Sequence, residues 1–270
     1  MFTVNFKPFE NTDGTVVGYV HDLITEMPVH REKYPVMVVV PGGGYAMVSQ
    51  READPIAFEY LAAGYNVFTL TYSVKENAKD FTPLKELSQT IITIRENAEK
   101  WHCDPEKIAI VGFSAGGHLC ASLATMWDHE ELKKVFDTKG GLNKPNAAVL
   151  SYPVITADEH AHKGSILNVS GCEEGTEGYK FFSLDKQVSE KTCPIYVWHT
   201  VTDGSVPVEN TIKLITALQQ HKVSFECHIF PEGPHGISVC TEETKSYNPY
   251  NSRWMPLSIE WLAKVFDYTT

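Results

Sequence analysis

Residues 108–119 read IAIVGFSAGGHL. Ile108-Ala109-Ile110-Val111 is a continuous apolar run, Gly112-Phe113-Ser114-Ala115-Gly116 spells G-x-S-x-G, and Gly117-His118-Leu119 opens an alanine-rich stretch of helical spacing. The run reads as a buried strand and the stretch after Ser114 as a helix. A strand that turns this sharply into a helix has no room for a Cβ two positions before or after the apex, which accounts for glycine at 112 and 116. The residue thrust out at that apex is Ser114.

The same alternation extends outward in both directions. Strands are expected over 35–40, 66–72, 147–152, 195–199 and 224–230, and helices over 54–63, 83–101, 208–221 and 256–266, with Pro83 at a first helical turn. The first twenty or so residues are expected to form an antiparallel edge hairpin. Strands alternating with helices predict an α/β fold, with a mostly parallel central sheet, helices on both faces and residues 1–270 forming a single domain. Residues 156–191 have weak periodicity, several glycines and mixed charges. They suit either a lid or substrate-side insert above the sheet or a surface loop with a short helix.

With 43% hydrophobic and 21% charged residues, the 270-residue chain is of ordinary globular composition. Thirty-four acidic against twenty-three basic side chains give a formal charge of -11, a field that repels phosphate backbones and anionic lipid and argues against nucleic-acid or membrane partners. Six cysteines, none in C-x-x-C spacing, indicate neither a disulfide framework nor a zinc knuckle. The N-terminal residues lack a basic stretch followed by an apolar block, so the expected location is cytoplasmic. Composition gives no oligomeric state.

A serine hydroxyl is a poor nucleophile at neutral pH and needs a histidine base oriented by an acid. The strand over 195–199 runs into Thr200-Val201-Thr202-Asp203-Gly204-Ser205-Val206-Pro207, and that over 224–230 into Pro231-Glu232-Gly233-Pro234-His235-Gly236. Asp203 and His235 therefore lie on loops that follow later strands, and with Ser114 they form the candidate catalytic set. Among the rivals, His199 sits at a strand end and is expected to be packed or hydrogen-bonded, and His118 is expected to point down its helix. His160 and His162, with Asp158 and Glu159, imitate a metal site but read better as a solvated loop. Asp158 and Asp185 lack the strand-and-turn context of Asp203. After an early strand comes Pro41-Gly42-Gly43-Gly44-Tyr45, whose glycines permit close backbone approach. Amides of Gly43, Gly44 and Ala115 are the candidate oxyanion donors; the alternatives are a plain turn or a phosphate loop, the latter lacking a following G-K-[ST]. No metal or cofactor is expected.

In chain order, PGGGY, GFSAGGHL, SYPVI, TDGSVPVEN and FPEGPHG resemble the bacterial esterase/lipase-like α/β-hydrolases that include acetyl xylan esterases and bifunctional feruloyl and acetyl esterases, from about Tyr34 to Phe266. The resemblance implies an α/β-hydrolase fold and a serine esterase that removes short acyl groups from carbohydrate esters such as acetylated xylo-oligosaccharides. It also supports Ser114, Asp203 and His235 individually. A feruloyl or general short-chain carboxylesterase is the alternative; further off stand a serine peptidase and a non-catalytic small-molecule-binding α/β-hydrolase. Pro41 stands where hormone-sensitive-lipase-like relatives carry histidine, so the glycine loop must be supported by something else. Tyr45 is a candidate substrate contact, as are Tyr179, Phe181 and Phe182, with core packing as the alternative for each. Trp198 and Trp254 are expected to be structural.

Overall fold

The computed structural model describes residues 1–24, 26 and 31–268. In chain order the strands are β1 (Phe2–Phe6), β2 (Thr15–Val20), β3 (Tyr34–Val40), β4 (Asn66–Thr71), β5 (Cys103–Phe113), β6 (Ala147–Ser151), β7 (Ile195–Thr200) and β8 (Phe225–Phe230). The helices are α1 (Asp54–Ala62), α2 (Thr82–Glu96), α3 (Ala115–Met126), α4 (Glu130–Lys133), α5 (Lys163–Ser170), α6 (Glu177–Lys180), α7 (Glu209–Gln220) and α8 (Trp254–Phe266).

The strands make one sheet in the order β1-β2-β4-β3-β5-β6-β7-β8. Only β2 runs antiparallel to its neighbours, β1 and β4; β3 to β8 pair in parallel. The expected hairpin is thus present at the edge. β3 is apolar throughout because both its faces are covered. Val36, Val38 and Ile110 pack with Leu87, Ile91, Leu119 and Leu214 of α2, α3 and α7, while Met37 and Val39 pack with Ile56, Tyr60, Trp254 and Trp261 of α1 and α8.

The chain leaves β3 for β4 on one side, then returns past β3 to β5 on the other. Right-handed crossovers in opposite directions put α1 and α2 on opposite faces. They also leave a crevice beyond the carboxyl ends of β3 and β5, the position favoured for ligands in such sheets. Among the described residues no helix is long and apolar enough to cross a membrane.

Two boundaries differ from the sequence reading by more than two residues. The helix expected over 83–101 ends at Glu96, and β5 begins at Cys103 rather than Ile108, paired to Tyr34 across a register shift. The cause is Trp101, whose ring stacks on Phe6 at 5.6 Å and tilts against Phe68 at 5.5 Å; covering the edge hairpin pulls residues 97–102 out of the helix. Within 156–191 lie α5 and α6, with Tyr179 and Phe182 buried. Trp198 and Trp254 stack in the core at 5.1 Å, and their indole N–H groups donate to Ser151 and to the Ser238 carbonyl.

Candidate active site

Ser114 sits between β5 and α3 at φ 53°, ψ −116°, a conformation a side chain adopts only under constraint. The constraint is steric. A Cβ on Gly112 would lie 2.2 Å from the Gly116 carbonyl oxygen, and one on Gly116 would lie 2.2 Å from that of Val40. Only glycine at both positions lets the helix follow the strand this closely. The Ser114 amide donates to the Ser151 carbonyl at 3.0 Å and its carbonyl accepts from Val154 at 3.1 Å, tying the turn to β6.

Loops after β7 and β8 bring the other two side chains to this turn. His235 Nε2 is 2.8 Å from Ser114 Oγ, and its Nδ1 is 2.6 Å from Asp203 Oδ2. Asp203 Oδ1 accepts from the Ser205 and Val206 amides, both at 2.9 Å. Burial by itself would raise the Asp203 carboxyl, but hydrogen bonds from His199 and then His235, with the Val206 amide, outweigh it and hold the group well below the usual carboxylate range. His199 is fully buried, bonded to Thr211 and to the Val206 carbonyl, and lies 3.3 Å from Asp203 Oδ2.

The glycine loop borders the same opening. Gly43 and Gly44 have φ of 130° and 67°, which glycine alone adopts without strain, and both line an open cleft of about 460 Å³ with Ser114 and His235. Ala115 is the first residue of α3, so its amide has no partner inside the helix.

The glycine loop is tied down by Glu52, which the sequence reading did not single out. This buried carboxylate accepts from the Gly42 amide at 2.8 Å and from the Tyr152 hydroxyl at 2.7 Å. Tyr152 in turn accepts from the Ser238 amide at 3.0 Å and sets its ring edge-on to His235 at 5.0 Å. Glu52 and Tyr152 together thereby join the glycine loop to the histidine loop. Burial raises the Glu52 carboxyl above its ordinary value, against the Tyr152 and Gly42 hydrogen bonds. In the sequence Glu52 is one of several charges before α1, and nothing local marks it as buried.

Tyr45 requires a correction. It is fully buried, edge-on to Tyr72, and its hydroxyl meets His118 Nδ1 at 2.9 Å. Its ring is therefore part of the core and offers no face to a substrate. His118 Nε2 donates to the Phe182 carbonyl at 3.0 Å, so Nδ1 accepts from Tyr45, and burial lowers the ring's pKa to about 4. Phe181 and Phe182 pack with Phe81 and His129, and Tyr179 is buried. None of these aromatic side chains lines the cleft.

The insert contributes other residues. His162, Gly164 and Asn168 line the cleft, and Asn168 Nδ2 donates to the Gly44 carbonyl at 2.9 Å. His162 caps α5 rather than facing a metal; Asp158 pairs with Lys213, and His160 with Glu159 at 3.4 Å. Asp185 accepts from Ser183 at 3.0 Å, away from His235.

The BD-FAE family profile matches residues 23–218. The chain is 36% identical over 236 residues to endo-1,4-beta-xylanase B of Butyrivibrio fibrisolvens, spanning 84% of this chain and 36% of that one. It is 32% identical over 215 residues to an acetylxylan esterase of Xylanibacter ruminicola, spanning 76% of this chain and 41% of that one. The chain thus spans less than half the length of these curated relatives. A solved acetyl ester-xyloside bifunctional hydrolase from Caldicellulosiruptor lactoaceticus superposes with a TM-score of 0.83 at 30% identity, covering 99% of this chain and 97% of that one.

Proposed function

The chain belongs to the BD-FAE family and has the α/β-hydrolase fold, and from that premise we propose that it is a serine esterase removing short acyl groups, acetyl above all, from carbohydrate esters such as acetylated xylo-oligosaccharides. The observation that carries this reading is the unbroken line from Ser114 Oγ through His235 to Asp203, at 2.8 and 2.6 Å, opening into the cleft. The acyl and carbohydrate halves draw their support from the acetylxylan esterase and acetyl ester-xyloside hydrolase relatives. We read residues 1–270 as one catalytic domain.

In this mechanism His235 Nε2 takes the Ser114 proton as Oγ attacks the ester carbonyl. Asp203, ionised throughout the neutral range, accepts from Nδ1–H, fixes that tautomer and stabilises the imidazolium. The tetrahedral oxyanion is held by the Gly43, Gly44 and Ala115 amides, one such donor being worth roughly 10²–10³ in rate. The imidazolium returns its proton to the alcohol oxygen, which departs. A water then gives its proton to His235 and attacks the acyl-serine; the imidazolium returns that proton to Ser114 Oγ as the acid departs.

The test is mass spectrometry of acetylated xylo-oligosaccharides, with methyl ferulate in parallel, after incubation with wild type or Ser114→Ala. Acetyl mass should be lost with wild type alone, and ferulate release would widen the acyl range. Cleavage of a simple aryl acetate with both other substrates untouched would withdraw the carbohydrate assignment and keep the triad.

A further inference from the structure

Leaving-group chemistry fixes where the alcohol half of an ester must lie. Its oxygen has to receive a proton from His235 Nε2, so the alcohol occupies the His235 side of Ser114. His162 of the insert borders the same opening, near enough to His235 for their charges to interact. It lines the cleft with Ser114, Ser205 and His235, and its Cε1 is 4.0 Å from the point where a side chain on Gly44 would begin.

The hydrogen bonds of His162 define its tautomer. Nδ1 lies 2.8 Å from the Ser165 hydroxyl and accepts from the Ser165 amide at 3.3 Å. An amide N–H only donates, so Nδ1 presents its lone pair and the proton of the neutral ring resides on Nε2. Among the described residues, no hydrogen bond uses Nε2. The ring is kept neutral, because burial and then the charge of His235 lower its pKa, against a smaller opposing pull from Asp203. Position and direction are fixed twice over: the ring caps α5, and Asn168 of the same helix is bonded to the Gly44 carbonyl at 2.9 Å.

We propose that His162 Nε2–H donates a hydrogen bond to an oxygen of the alcohol half of the ester, making it a specificity-determining residue that favours polyhydroxylated alcohols over aryl ones. The inference rests on the reading of Ser114 as nucleophile and His235 as base. A sugar alcohol carries ring and hydroxyl oxygens beside the scissile ester and can accept this bond, whereas a phenol leaving group has no such neighbour.

The cap and the donor can be separated by two substitutions. Asparagine reaches no further than Nδ1 and is among the best helix caps, so His162→Asn keeps the cap and removes the donor. Glutamine reaches to the Nε2 position, so His162→Gln keeps the donor and weakens the cap. The measurement is the ratio of kcat/KM on acetylated xylo-oligosaccharide to kcat/KM on 4-nitrophenyl acetate, for wild type and both variants. In His162→Asn that ratio should fall about tenfold, the effect of one lost hydrogen bond, and in His162→Gln it should recover most of that loss. A ratio unchanged in the Asn variant, or lowered equally in both variants, would overturn the proposal. If wild type leaves the oligosaccharide intact while cleaving 4-nitrophenyl acetate, the carbohydrate reading falls. The same ratio is then taken with glyceryl triacetate, whose alcohol half keeps acceptor oxygens, and the same outcomes decide. If Ser114→Ala cleaves these esters as fast as wild type, the nucleophile assignment fails and the His162 proposal falls with it.

Discussion

At the floor of the cleft, a Cβ on Gly112 or Gly116 would lie 2.2 Å from a backbone oxygen, whereas in the wall built by residues 156–191 a Cβ on Gly164 would meet nothing nearer than His162 Cε1 at 3.8 Å. The floor is thus closed by collisions between backbones, and the wall is held by side-chain bonds such as Asn168 to Gly44. The reactive geometry tolerates no substitution at these two glycines. The wall has space to vary, so changes there should alter what is bound and leave the chemistry alone.

The sharpest way to break this contrast is at Asp203. Asp203→Asn should lower kcat by about 10⁴, as the equivalent change does in a serine-protease triad, with circular dichroism confirming a folded protein. Retention of most activity would mean that another carboxylate orients His235. The two buried carboxylates of the floor should also answer to pH with opposite sign. The depressed Asp203 contributes stability above its unfolded value near 3.8 and loses it as pH falls through the folded value. The raised Glu52 behaves in reverse: its charge costs stability as pH climbs from 4.5 through its folded value.

Glu52→Gln removes that cost while breaking the link between Gly42 and Tyr152. Its kcat/KM should fall about tenfold through a loosened glycine loop. In denaturant titrations from pH 4.5 upward, the stability difference should move in the variant's favour as pH rises, and a flat difference would deny the shift. The smallest effect is expected at Tyr45→Phe. Loss of its bond to the buried His118 Nδ1 should cost about 1–3 kcal/mol in stability, with kcat/KM on acetylated xylo-oligosaccharide held within about twofold. A large rise in KM would return Tyr45 to the cleft.

The legible parts of the sequence were those whose cause is local. Glycine at 112 and 116, the apolar run before them and the loops carrying Asp203 and His235 each follow from neighbours within a few positions. So does the alternation that predicts the sheet. Glu52 was not legible, because its burial depends on Tyr152, a hundred residues away. The choice between cleft and core at Tyr45 was not legible for the same reason: adjacency to the glycine loop in the chain says nothing about His118, 73 residues on. His162 was read as part of a solvated loop; only the packing of the insert against Gly44 brings it to the cleft.

The bond between His235 and Ser114 joins residues 121 apart in the chain, and the glycine loop precedes both. A ribosome makes the serine and its strained turn long before the imidazole exists. On the proposed mechanism, until the last parallel strand, β8, docks on β7, the chain carries the Ser114 hydroxyl without its base. Reactivity is then expected to arrive late, and a nascent or truncated polypeptide lacking His235 should lack the group that activates Ser114. Contacts this distant in sequence are slow to close, so regain of hydrolysis after unfolding reports completion of the sheet rather than its beginning.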